Sequence, residues 1–190
     1  YTVMNPEKII TGIDIGTSKV SVLVCSVKSA DDIQILGFGT SILKGVQKGR
    51  IKDKNMFANA IQNALKRAQA AADVTIDRVL VNVPNGNNRF CIQTGIIQNE
   101  SGRSASIKDK ESAMKKSTSC IRKQDQSILH LLPLNQRIDG QSVPQINSQK
   151  FNHLEIDTGI ILCDSVNLDL IIKTIKNLGL KINGIISDYL

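Results

Sequence analysis

The sequence contains no tryptophan, and aromatic residues make up only 3% of it. Any core must therefore be aliphatic, filled by Ile, Leu and Val. Nor are aromatics interleaved with basic residues in the manner that stacks bases, and no nucleic-acid-binding module is recognisable. There are two histidines, His130 and His153, and neither has metal-ligand spacing to a cysteine. The four cysteines (Cys25, Cys91, Cys120 and Cys163) are scattered without a Cys-x-x-Cys pair. Cys25 and Cys163 sit in apolar segments and read as small core residues with reduced thiols, as in the cytoplasm. No apolar run reaches the roughly 20 residues that span a bilayer, and no basic-then-apolar secretory signal opens the chain. Tyr1 stands where an initiator methionine would, which points to trimming.

What is present is ordinary for a folded protein: 190 residues, 41% hydrophobic and 22% charged, enough for one good core or two modest ones. The net charge is +7. Much of it falls in two clusters, Lys44, Lys48, Arg50, Lys52 and Lys54 in one, Lys108, Lys110, Lys115, Lys116, Arg122 and Lys123 in the other. The plain reading is solvated basic surface. If the charge has a partner, an anionic lipid or an acidic protein segment fits better than nucleic acid.

The stretch Gly12-Ile13-Asp14-Ile15-Gly16-Thr17-Ser18-Lys19-Val20 carries the clearest chemistry. Apolar runs enter and leave it, so it reads as two strands joined by a tight turn at Gly16, Thr17 and Ser18. Gly16 has no Cβ to block a ligand from the backbone. The amides after it can form an anion nest, Thr17 and Ser18 add hydroxyls, and Lys19 adds a cation. Asp14, ending the first strand, is placed to hold a hydrated magnesium ion, which keeps most of its waters and takes few protein ligands. The plainer alternative is an ordinary hairpin whose Gly and Ser serve only the turn.

Periodicity organises the rest. Residues 7–15, 19–27 and 32–39 predict three strands. Asp53 is suited to cap a helix reaching about residue 72, with Phe57, Ile61, Ala64, Leu65 and Ala68 on its core face. A fourth strand covers 78–83, and Pro84-Asn85-Gly86-Asn87-Asn88 then breaks regular structure. Beyond the break come a strand at 89–98, a polar loop at 100–106, and a helix over 108–122 with a weak stripe of Ile107, Met114, Ser117 and Ile121. A strand at 126–134 reaching 137–139, a polar loop at 140–150 and a strand at 154–164 complete a small strand-helix-strand-strand module. The chain then resumes with a helix over 167–178, an αL cap at Gly179 and a buried strand at 182–187. The expected fold is α/β with this α+β module inserted: residues 1–84 and 164–190 form one domain, 85–163 the other.

The hairpin motif resembles the first phosphate motif of the actin and sugar-kinase superfamily. Ile13-Asp14-Ile15-Gly16-Thr17-Ser18-Lys19-Val20 is most similar to the version in the bacterial cell-division FtsA family. So are Gly37-Phe38-Gly39-Thr40-Ser41, Lys44-Gly45-Val46-Gln47-Lys48-Gly49-Arg50-Ile51, Ile128-Leu129-His130-Leu131-Leu132-Pro133-Leu134 and Ile138-Asp139-Gly140-Gln141. The resemblance covers about residues 8–190. It implies an actin-like (ribonuclease H-like) lobe, called 1A, interrupted by the family's 1C module, as in the N-terminal half of an FtsA. It further implies ATP or ADP with Mg2+ as cofactor, Gly16, Thr17, Ser18 and Lys19 on the phosphates and Asp14 on the metal side. The family's second lobe supplies the other phosphate hairpin and the adenosine contact, and neither motif follows Ser18. Asp157-Thr158-Gly159 is the nearest match, but its flanks fit a 1C strand. A half-site should not hydrolyse ATP at a useful rate, and no catalytic residue is assigned.

As the resemblance has it, the whole protein works at the inner face of the cell membrane at midcell as a nucleotide-dependent scaffold. It links the FtsZ ring to the membrane and recruits later division proteins. FtsZ binds through the second lobe, the membrane through a C-terminal amphipathic helix, and other FtsA subunits and late division proteins through 1C. Two other classes compete. A sugar-kinase-type phosphotransferase needs an acidic base, for which only Asp53 and Asp77 offer themselves. A pilus-assembly relative of PilM type would share the fold as an interaction protein.

Overall fold

The computed structural model describes residues 8–84, 86, 88–119, 121, 125–146 and 148–188. The chain divides into two compact units, Tyr1–Asn87 with Asp164–Leu190, and Asn88–Cys163. The division falls at 87/88, three residues beyond the break at 84/85 that the sequence predicts. Of the residues singled out above, Tyr1, Asn85, Asn87, Cys120, Arg122 and Lys123 lie outside the described set.

The first unit is built on a five-stranded sheet of β1 (Lys8–Ile15), β2 (Lys19–Ser29), β3 (Asp32–Ile42), β6 (Arg78–Val83) and β11 (Lys181–Ser187). Their order is β11-β6-β1-β2-β3. β1, β2 and β3 form an antiparallel meander, whereas β6 and β11 run parallel to β1. Strict alternation buries Ile13, Ile15, Val20, Val22, Val24, Val79, Val81 and Val83 on one face. Helix α1 (Lys54–Ala72) lies on that face over β2 and β3, and α3 (Ser165–Asn177) packs beside it against β11.

α1 starts where the sequence predicts: the Asp53 carboxylate accepts from the N–H groups of Asn55 and Met56, both at 2.9 Å. Its buried positions are Phe57, Ala60, Ile61, Ala64, Leu65 and Ala68. The helix comes close because β3 offers glycines. A Cβ on Gly39 would stand 2.1 Å from the Ala64 carbonyl oxygen. α3 is capped by Asp164, which accepts from Asn167 N–H at 3.0 Å, and Gly179 follows it with φ of 80°. Between β3 and α1, a short hairpin of β4 (Val46–Gln47) and β5 (Arg50–Ile51) turns at Lys48 and Gly49, both with positive φ. Arg50 bonds Asp164 at 2.8 Å, and the buried Asn167 amide joins Ile51 N–H to the Gly49 carbonyl.

The second unit is a four-stranded sheet, β7-β10-β8-β9, formed by β7 (Arg89–Gln98), β8 (Gln126–Ile138), β9 (Gln141–Ser142) and β10 (His153–Asp164), with α2 (Ile107–Lys116) on β7. β9 is a two-residue strand inside the segment expected to be loop. Its core contains Ala105, Ala113, Ile138, Phe151, Leu154 and Ile156.

The helix differs from expectation. It ends at Lys116; of the expected stripe Met114 packs on the core and Ser117, just past the helix, is buried, but Ile107 is 73% exposed, and Asp109 and Ala113 are buried instead. A capping box holds Asp109 there. Ser106 Oγ accepts from Asp109 N–H, and the Asp109 carboxylate accepts from Ser106 N–H at 2.9 Å and from Arg103 at 2.8 Å. A charged residue, satisfied by these bonds, thus takes a core-facing position that an apolar stripe cannot reveal.

Candidate functional site

The expected turn exists. β1 and β2 pair from Lys8/Val27 to Ile15/Val20, leaving Gly16 to Lys19 as the connection. Gly16 N–H donates to the Lys19 carbonyl at 2.9 Å, and the Ser18 carbonyl accepts from Leu43 N–H at 2.8 Å, tying the tip to the chain just after β3. Gly16 matters to the turn itself, since a Cβ there would approach the Lys19 oxygen to 3.1 Å. Its N–H is consumed by that closure, so Gly16 contributes the missing side chain and not a donor. The N–H groups of Thr17 and Ser18 have no partner among the described residues. They lie at an exposed tip with two hydroxyls and the Lys19 ammonium. Those groups suit an anion: amide and hydroxyl donors beside a cation.

Asp14 points to the face opposite Ile13 and Ile15 and is exposed. Its carboxylate is held by a residue far outside the Gly12–Val20 motif. Asn82, on the adjacent parallel strand β6, donates from Nδ2 to Asp14 Oδ1 at 2.9 Å. The same amide group donates to Asp188 Oδ1, also at 2.9 Å, and its Oδ1 accepts from Ile15 N–H at 2.6 Å. Asp188 directly follows β11. The site therefore gathers the C-terminal ends of three parallel strands, β1, β6 and β11, where ligands of open α/β sheets bind. An apolar groove of about 410 Å³, lined by Leu23, Phe38, Leu80 and Ile186 among others, runs along the uncovered sheet face up to Asp14 and Asn82.

These donors define which metal would suit them. Among the described residues no three His, Cys, Asp or Glu side chains converge into a cage. Two carboxylates joined by an amide offer hard oxygens in small number, which fits an ion that keeps most of its waters, such as Mg2+.

The other sequence candidates are placed elsewhere. Asp53 is the α1 cap and Asp77 pairs with Arg78 at 3.2 Å, so neither reaches the hairpin. The further carboxylate at the site is Asp188, joined to Asp14 through Asn82. Asp157 sits mid-strand in β10, not in a turn. Arg137 bonds it at 2.7 Å and 3.0 Å and bonds Glu155 at 2.9 Å. The Arg137 guanidinium, with help from the Thr94 hydroxyl, holds the Asp157 carboxyl down to about 2. Lys108, Lys110, Lys115 and Lys116 all lie on α2, and no helix among the described residues is long and apolar enough to cross a membrane.

Comparison with known proteins agrees with the motifs. No family model matches the chain. Cell division protein FtsA of Buchnera aphidicola subsp. Acyrthosiphon pisum is 28% identical over 181 residues, 95% of this chain and 43% of that protein. FtsA of Pseudomonas aeruginosa is 28% identical over 184 residues, 96% of the chain and 44% of the relative. That of Escherichia coli K12 is 25% identical over 187 residues. The chain thus spans less than half the length of these curated relatives. Among solved structures, a chain of the PilM-PilN type IV pilus biogenesis complex superposes with a TM-score of 0.65 over 95% of this chain and 47% of its own, at 11% identity. That likeness is one of fold alone. The chain has an actin-like fold, and along nearly its whole length its sequence is similar to the cell division protein FtsA.

Proposed function

We propose that this chain is the N-terminal portion of an FtsA-like, actin-family cell-division protein, and that its β1–β2 turn is the first-lobe half of a nucleotide site. The observation that carries the reading is the Gly16–Lys19 turn at the C-terminal ends of parallel strands, with unpartnered Thr17 and Ser18 amides and the anchored Asp14 carboxylate beside it. In this reading Thr17, Ser18 and the opened backbone at Gly16 receive the phosphates of ATP or ADP, Lys19 supplies charge, and Asp14 holds hydrated Mg2+. The bound metal would offset phosphate charge. The chain alone, holding half the site, binds nucleotide weakly and does not turn it over.

The uncovered sheet face, with Phe38 53% and Ile35 64% exposed, is an apolar surface that fits a lobe packing against further chain in the whole protein. The Asn88–Cys163 unit corresponds to 1C and serves contacts with other subunits and late division proteins. Linkage to FtsZ and to the membrane at midcell belongs to the rest of the whole protein. The PilM-like alternative rests on fold likeness only. The sugar-kinase reading loses its base candidates, since Asp53 and Asp77 are engaged elsewhere. The deciding experiment is Asp14→Ala in the whole protein. Nucleotide-dependent assembly, with any slow turnover, should be lost. Assembly and turnover equal to the parent would reject the site.

A further inference from the structure

We propose that Asn82 is the positioning residue of the Asp14 carboxylate, an assignment that rests on the nucleotide reading of the Gly16–Lys19 turn. Asn82 lies in β6 between the buried Val81 and Val83, and its side chain emerges on the opposite face, the one that carries Asp14. A carboxamide has two N–H donors and one carbonyl acceptor. Here all three are used in a single arrangement. The carbonyl takes the Ile15 N–H at 2.6 Å, which fixes the amide plane to the end of β1. The two donors go to Asp14 Oδ1 and Asp188 Oδ1, each at 2.9 Å, with the Ile15 carbonyl a longer neighbour at 3.4 Å. Reversing the amide would set its NH2 against the Ile15 N–H and its carbonyl against two carboxylates. Its orientation is therefore determined by its partners, and it determines theirs.

The consequence is specific to the metal side. One oxygen of Asp14 is held by Asn82, which fixes the rotamer of an otherwise exposed side chain and so the direction of its second oxygen. Partners that orient a metal-side carboxylate in this way typically change metal affinity about 10–100-fold when removed. The phosphate side is different. The Thr17 and Ser18 donors are set by the turn's own bonds, Gly16 N–H to Lys19 and Leu43 N–H to Ser18. Loss of the Asn82 amide should therefore weaken cation binding and leave anion binding at the turn in place.

The test uses the 190-residue chain with Mn2+ as paramagnetic probe and, separately, pyrophosphate without metal, both followed residue by residue by NMR. In the parent, Mn2+ should broaden signals around Asp14 and Asn82, and pyrophosphate should shift those of Thr17 and Ser18. Asn82→Leu should need about 10-fold more Mn2+ for the same broadening, with the pyrophosphate response unchanged. If Asn82→Leu does not fold, Asn82→Thr, suited to a strand, carries the same expectation. Equal Mn2+ response in variant and parent would overturn the positioning role while leaving the nucleotide reading standing. Equal weakening of both probes would reduce Asn82 to a brace for β1 and also overturn it. No localised Mn2+ response in the parent would remove the metal-side reading of Asp14, and this inference with it.

Discussion

A Cβ placed on Gly95 would stand 1.8 Å from the carbonyl oxygen of Ala113, so the backbone of α2 rests directly on β7 at that point. No side chain fits between them, and neither the helix backbone nor the strand can yield like a flexible side chain. Gly95→Ala should therefore push α2 off the sheet and cost the Asn88–Cys163 unit about 1–3 kcal/mol, the usual range for overpacking. Gly12→Ala is the contrasting case, because its Cβ would meet nothing within 4 Å. Denaturant unfolding followed on signals from each unit should show a loss for the first variant and little change for the second.

The bidentate pair of Arg137 with Asp157 sets an acid limit on the same unit. With its folded-state value near 2, below the ordinary carboxylate value of 3.8, Asp157 adds stability that is fully present above about pH 4. That stability is lost as pH falls towards 2. The hydrogen bond from Arg103 lowers the Asp109 carboxyl in the same direction. Arg137→Met should lower Tm at pH 7 by a few degrees and flatten the acid dependence between pH 4 and 2. A parent and variant with parallel Tm profiles over that range would show the pair to be energetically silent.

His130 sets a second limit of the same sign at milder pH. Its Nε2 is buried with no partner among the described residues, and burial lowers its proton affinity below the ordinary value of 6.5. The unfolded chain then binds the proton more readily. Stability is full above about pH 6.5 and declines as pH falls below it. His130→Leu should remove the stability slope that sets in below pH 6.5 while keeping the Asp157 slope below pH 4. Persistence of the milder slope in the variant would place its origin elsewhere.

If the contacts proposed for the Asn88–Cys163 unit are made to an acidic surface, the basic face of α2 is the place to test them. Lys115 and Lys116 are exposed in its last turn, where they also suit the helix dipole. Reversing both to Glu should weaken self-association or partner binding of the whole protein at low salt, and the parent should lose the same binding as ionic strength rises. Sedimentation of the double variant indistinguishable from the parent would make α2 ordinary surface.

Local signals made much of this structure legible. The alternation in β1 and β2, the Asp53 cap and the Phe57–Ala68 stripe act over a few residues, and each predicts its element directly. The stripe in α2 reveals Met114 and Ser117 but not Asp109, whose polar side chain faces the core and is made tolerable there by its bonds to Ser106 and Arg103. The motif Ser106-x-x-Asp109 was a readable sign of that cap. At the site, Asp14 and the turn were visible in one stretch of sequence, but Asn82 and Asp188 were not. Asn82 is 68 residues from Asp14 and 106 from Asp188, and only the β11-β6-β1 order brings them together. The one local hint was a polar Asn between Val81 and Val83 in a strand whose neighbours are buried.

The most direct test of the nucleotide half-site is an NMR titration of the 15N-labelled chain with ADP and Mg2+. Weak, fast-exchanging binding is expected, with shifts concentrated at residues 14–19 and 82. Tight binding would contradict the half-site. Shifts that leave residues 14–19 untouched would contradict the site itself.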